Sequence, residues 1–129
     1  MEHDLLCNTL RMNSDSVRLL LIRHGEVEAN RSYRYLGRRD DPLNETGRRQ
    51  AAAVAAALEE LSFDEVISSP LQRAVDTARA IAGTANLAVT TDPRLVELDF
   101  GEWDGRSRAE VLESNPQNRR VLETWEEDP

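Results

Sequence analysis

At 129 residues and 40% hydrophobic content, the chain has the length and apolar material for one domain with its own core. A net charge of −8 and a pI near 4.8 remove long-range attraction to nucleic acid or an anionic membrane, so an anionic ligand needs a local positive pocket. Cys7, His3 and His24 are the full set of cysteine and histidine, which leaves no internal disulfide and no Cys/His zinc cluster.

All 16 basic residues are arginine, a side chain suited to planar, two-pronged grip on phosphate or carboxylate. No apolar run approaches the roughly 18 to 20 residues of a membrane span, and the first residues carry acids where a leader would be basic. A cytoplasmic protein with no membrane and no nucleic-acid partner is the expectation.

Residues 1–16 are weakly patterned, which predicts a disordered tail, or an upstream start ahead of a chain that begins at Met12. Residues 17–22 then read as a first strand, whose unbroken apolar stretch Leu19, Leu20, Leu21, Ile22 is the mark of burial on both faces. It runs directly into Arg23, His24, Gly25 and Glu26. In open α/β sheets, ligands bind at the carboxyl ends of strands.

Residues 27–43 interleave Arg31, Arg34, Arg38 and Arg39 with Tyr33 and Tyr35, ahead of Asp40, Asp41 and Pro42. Such a mixture could stack on single-stranded RNA. In an acidic, acid-flanked setting a solvated loop at the mouth of the first strand is the better expectation. Asn44 caps a helix with Glu45 in its first turn, and Ala51, Val54, Ala55, Leu58 and Leu61 form its buried stripe.

A second strand spans residues 63–68. Ser69 as N-cap and Pro70 at the first helical position open a second helix that runs to Ala82 and stops at Gly83, with Leu71, Ala74, Val75, Ala78 and Ile81 inward. Arg73, in its first turn, falls on the same rim of the sheet as His24. Residues 87–91 make a third strand. Residues 93–105 form a loop with Glu97, Asp99, Glu102 and Asp104 around Phe100 and Trp103. Ser107 to Glu110 spells a capping box, and Asn115-Pro116 restarts a helix with an apolar face of Val121, Leu122 and Trp125. Alternation of strand and helix with short connections predicts βαβ units and a mostly parallel sheet flanked by helices.

Four ordered motifs stand out: RHGE followed by Asn30, then LNETG, SSPLQRAVDTA and RLVELDFGEWDG. On these the chain resembles the histidine phosphatase superfamily, also called phosphoglycerate mutase-like, over residues 17–129. The wording of the last motif is closest to the small phosphatase branch. The resemblance implies a three-layer α/β sandwich and a phosphomonoester phosphatase, with His24 phosphorylated during turnover. It further implies that Arg23 and Arg73 bind the phosphoryl oxygens, that Asn30 adds a hydrogen bond, and that Glu97 protonates the leaving oxygen. The substrate class is a small phosphorylated metabolite; no cofactor or metal is called for, and a second copy or a complementing chain is the candidate partner.

The residue types suit that chemistry. A nucleophilic imidazole must be neutral, and two guanidiniums nearby penalise the imidazolium. Phosphoryl transfer asks mainly for positioning and charge stabilisation, which forked arginine donors supply. Glu97 has the opposite need: it must be held protonated, by burial or by the charge of bound phosphate. The plainer readings are an Arg73 paired to Asp76, and an acidic loop or weak calcium site at residues 97–104.

Two departures from the family pattern matter. Members carry a second active-site histidine on a later strand that inserts between the first two, and no histidine follows His24 here. Losing one preorganised donor to a developing oxyanion costs about 2.7 to 4 kcal/mol. The chain is therefore expected to be the N-terminal two thirds of such a domain, lacking its C-terminal part, with a mutase or a non-catalytic phosphate-binding fragment as the alternatives. Val27 stands where many members have serine or threonine.

Overall fold

The alanine-rich periodicity of residues 45–58 becomes a helix because its N-terminus is capped and one face is small and apolar. In the computed structural model, which describes residues 17–127, helix α2 spans Glu45–Ala57 and comes after a single turn, α1, at Glu28–Arg31. The Asn44 side chain accepts the Gly47 N–H at 2.8 Å, meeting one of the donors a helix start leaves open. Ala51, Val54 and Ala55 are buried, but Leu61 is exposed because the helix ends at Ala57, a turn short of it. The expected tail at residues 1–16 lies outside the described residues.

Strands β1 (Val66–Ser68) and β2 (Val89–Thr91) pair in parallel, with Val66 opposite Val89 and Ser68 opposite Thr91. Helix α3 (Gln72–Thr84) joins them, giving one βαβ unit. Both strands are shorter than the sequence pattern predicts. Helix α3 packs on this sheet and α2 packs on α3. The core forms two adjoining clusters, Val27, Ala29, Leu43 and Ala51 in one and Val54, Ala55 and Ile81 in the other, with Ile22, Leu58 and Phe63 packed around the second. Fully burying one such aliphatic side chain contributes about 1.5 to 3 kcal/mol.

The start and end of α3 correct the expectation from Ser69, Pro70 and Gly83. The Ser69 hydroxyl accepts the Leu71 N–H at 3.3 Å, making a turn ahead of the helix, and the open Gln72 N–H is capped from another loop by Asp40 at 2.6 Å. At the far end Asn86, not Gly83, takes the left-handed conformation (φ 53°). Leu87 N–H then bonds back to the Ala82 carbonyl at 2.9 Å, a Schellman closure that needs no glycine.

The first expected strand, residues 17–22, is not part of the sheet: among the described residues no strand pairs with it. A strand exists by laddering with a neighbour, so an apolar run without one stays irregular. Val17, Leu19 and Leu21 are 80%, 52% and 61% exposed as a result. Ile22 still anchors in the core, which fixes where Arg23 and His24 emerge.

Beyond β2 come two short 3-10 turns, Pro93–Leu95 and Gly101–Trp103, then α4 (Arg108–Ser114) and α5 (Gln117–Glu127). The expected capping box opens α4, with Glu110 N–H on the Ser107 hydroxyl at 3.3 Å and Ser107 N–H on the Glu110 carboxylate at 2.7 Å. On α5 Leu122 is fully buried, whereas Val121 is exposed, so the apolar face is narrower than expected. Tyr35, Phe100, Trp103 and Trp125 form an aromatic cluster with ring centroids 5.5 to 6.4 Å apart, tying the loop after α1 to the acidic loop and to α5. No helix among the described residues is long and apolar enough to cross a membrane.

Candidate active site

His24 leaves the core at Ile22 and is locked by the glycine next to it. Gly25 is buried against the start of α2, where an added Cβ would strike the Gly47 backbone; a Cβ on Gly47 would in turn strike Glu26. Two facing glycines therefore bring the chain beside His24 onto the helix. The Gly25 N–H donates to the Thr77 hydroxyl at 3.0 Å, and that hydroxyl donates to the Arg73 carbonyl at 2.8 Å. One buried side chain thus links the peptide after His24 to the turn of α3 that carries Arg73.

The imidazole is half-buried, and Nδ1 lies 2.7 Å from the Gly25 carbonyl oxygen. A carbonyl only accepts, so Nδ1 carries the hydrogen and Nε2 keeps its lone pair. Burial is the main cause that holds His24 below its ordinary pKa of 6.5; the bond to Gly25 works against it, Arg73 and then Arg23 lower it further, and Glu97 raises it. Residue types alone point to the arginines as the cause, and burial, which leads, is visible only in the fold. Of the four expected partners, the three charged ones, Arg73, Arg23 and Glu97, act on the ring through their charges.

Arg73 is 1% exposed. Its guanidinium donates to the carbonyls of Arg39 and Gly37, both at 2.7 Å, which uses two of its five N–H groups. Asp76 is taken by Gln72 and Arg79, so the alternative pairing with Arg73 does not occur. Among the described residues no carboxylate forms a direct ion pair with Arg73. Burial lowers its pKa, opposed by the charges of Glu97, Asp40, Asp104 and Asp41. A buried cation without a contacting counter-ion costs several kcal/mol, a cost that a bound anion offsets.

Arg23 is exposed. Glu97 is exposed too, and its carboxylate accepts the Leu98 N–H at 2.9 Å. Of the two ways to keep it protonated, burial is therefore not available. Asn30 is in the single turn of α1, where its side-chain oxygen accepts the Val27 N–H at 3.2 Å. Val27 itself is fully buried and bridges to Leu43, so the position serves the core.

The acids of residues 97–104 do not converge. Asp99 pairs with Arg38 at 3.3 Å, while Asp104 accepts the N–H groups of Gly37 and Arg39 at 3.0 and 2.8 Å. Among the described residues no three metal-ligating side chains gather. In the Arg/Tyr stretch, Arg34 pairs with Glu110 and Arg39 with Asp41, and Tyr35 joins the aromatic cluster. Sequence reasoning misses the roles of Thr77 and Asp104, since a hydroxyl on a helix and one acid among four carry no local signal of them. The fourfold helical spacing of Arg73 and Thr77 is the one available hint.

Residues 19–129 match the model of the histidine phosphatase superfamily (branch 1). A bifunctional protein of Mycobacterium tuberculosis is 47% identical over 108 residues, which cover 82% of this chain and 30% of that protein. Phosphoserine phosphatase 1 of Hydrogenobacter thermophilus is 41% identical over 113 residues, 88% of this chain and 52% of its own length. Among solved structures, the alpha-ribazole phosphatase of Shigella flexneri superposes with a TM-score of 0.73 at 36% identity, over 78% of this chain and 50% of that one. The chain thus spans about half or less of the length of these relatives and shares their phosphoglycerate mutase-like α/β fold. Its four motifs, its fold and its match to the family model have one common reading: the chain belongs to the histidine phosphatase superfamily.

Proposed function

We propose that this chain carries the phosphate-binding, phosphohistidine-forming part of a metal-independent phosphomonoester phosphatase that acts on a small phosphorylated metabolite in the cytoplasm. The observation that carries the reading is the buried Arg73 guanidinium, without a contacting carboxylate, acting on the ring of a His24 whose Nδ1 is already bonded. In the first step the Nε2 lone pair attacks phosphorus, the bond to the leaving oxygen breaks, and Glu97 gives that oxygen its proton. Arg23, Arg73 and the Asn30 amide hold the phosphoryl oxygens. In the second step water attacks the phosphohistidine, its proton passes to the Glu97 carboxylate, and inorganic phosphate and neutral His24 are regenerated.

Phosphatase is favoured over mutase by the activities named for the relatives. The competing reading is a phosphate cradle without turnover. Hydrolysis of p-nitrophenyl phosphate in EDTA separates them. The expected result is release of p-nitrophenol that disappears in His24→Ala; release that survives His24→Ala contradicts the proposal.

A further inference from the structure

Arg73 and Asp104 grip the same two residues, Gly37 and Arg39. The Arg73 guanidinium donates to the carbonyls of Gly37 and Arg39, and the Asp104 carboxylate accepts the N–H groups of Gly37 and Arg39. The anion takes N–H groups and the cation takes carbonyls on alternate peptide groups of this short stretch, so the two side chains are coupled through the backbone of residues 37–39 and not by direct contact. Each of the four bonds has one charged partner, the stronger class of hydrogen bond. Asp104 uses one carboxylate oxygen on each N–H, which fixes the tilt of the stretch as well as its distance.

The same stretch bears on Glu97. Gly37 is buried, and an added Cβ would run into the Leu98 carbonyl and the Phe100 ring, so the segment immediately after Glu97 lies flat on it. Asp104, at the other end of that segment, ties it down. Arg73 and Glu97 come from distant parts of the sequence, and residues 37–39 touch both the Arg73 guanidinium and the segment that follows Glu97.

We propose that Asp104 is a positioning residue that sets the placement of Arg73 and Glu97 around His24 by holding residues 37–39 between the guanidinium and the acidic loop. This rests on the phosphatase reading for its purpose, but the placement itself has a readout that does not need turnover. When Asp104 lets go, the stretch no longer presents its two carbonyls to Arg73, and the guanidinium loses its seat beside the imidazole.

The test uses the full chain, with inorganic phosphate as the probe and the His24 ring signals tracked by NMR. Asp104→Asn keeps the shape and one acceptor but loses the charge and the second acceptor. It is expected to weaken phosphate binding by about tenfold, the effect of one charge-assisted hydrogen bond, and to move the His24 titration midpoint up towards 6.5. Asp104→Ala is expected to do both more strongly, and Gly37→Ala combined with Asp104→Asn to add little to either alone, because both act on one stretch. Amide protection in α2 and α3 is expected to be unchanged, which a general loss of stability would not allow. The proposal is overturned if Asp104→Asn leaves the midpoint where it is in the parent chain. A parent chain that binds no phosphate would sink the phosphatase reading, and the midpoint comparison would still decide the role of Asp104.

Discussion

An imidazole that attacks phosphorus has to be neutral, and His24 is surrounded by reasons to stay so. Burial works against its charge, Arg73 and Arg23 repel the imidazolium, and the Gly25 carbonyl fixes which nitrogen is free. An NMR titration is therefore expected to place its midpoint below 6.5, and Arg73→Gln to raise it. The sign carries over to stability. The folded value is depressed, so the unfolded chain binds the extra proton first; the contribution is intact above pH 6.5 and is lost as pH falls through the folded value. A midpoint above 6.5 would mean that Glu97 or the Gly25 bond outweighs burial and the arginines. At this scale the sequence is informative about identity and uninformative about cause: RHG and LQRA mark His24 and Arg73, but the leading influence on His24 is burial, which exists only once the chain is packed. The Arg73 hydrogen bonds to Gly37 and Arg39 span more than 30 positions, and nothing local announces them.

At the scale of elements, the best-placed features are those whose cause is local. Asn44 capping α2 and the Ser107–Glu110 box opening α4 each depend on residues within one turn, and both are legible in the sequence. The start of α3 departs from the sequence expectation because its cap comes from Asp40, 32 positions away, while Ser69 and Pro70 form a turn of their own. Asp40→Ala is accordingly expected to destabilise the chain by about 0.5 to 2 kcal/mol, the usual cost of losing a cap, whereas Ser69→Ala should cost less. A urea melt of each variant checks the ranking, and an Asp40→Ala chain as stable as its parent would remove the trans-cap. The absent first strand has an equally plain cause. Its apolar residues satisfy the pattern of a buried strand, but pattern alone cannot supply the neighbour that a ladder needs.

For the molecule as a whole, two opposing features set its character: a net charge of −8 and the two arginine charges that act on His24. The α2–α3 pair and the core clusters beside it are covered, while the segment that leads into His24 is open, with Val17, Leu19 and Leu21 exposed. Hydrogen exchange is expected to be fast at Leu19, Leu20 and Leu21 and slow at Ala78, Ile81 and Ala82 in α3. Equal protection in the two groups would show that the first segment is laddered after all. On the proposed function this contrast makes binding local: guanidiniums hold the anion at short range and the net charge does not draw it in from afar.

The central claim is that His24 becomes phosphorylated, and direct observation of that bond tests it. The chain is mixed with p-nitrophenyl phosphate, quenched in alkali and mapped by mass spectrometry, alongside an acid-treated portion. A phosphoryl group on the His24 peptide, stable to alkali and lost in acid, is the predicted result. An alkali-quenched His24 peptide without phosphate, in a chain that nonetheless hydrolyses the substrate, would contradict it.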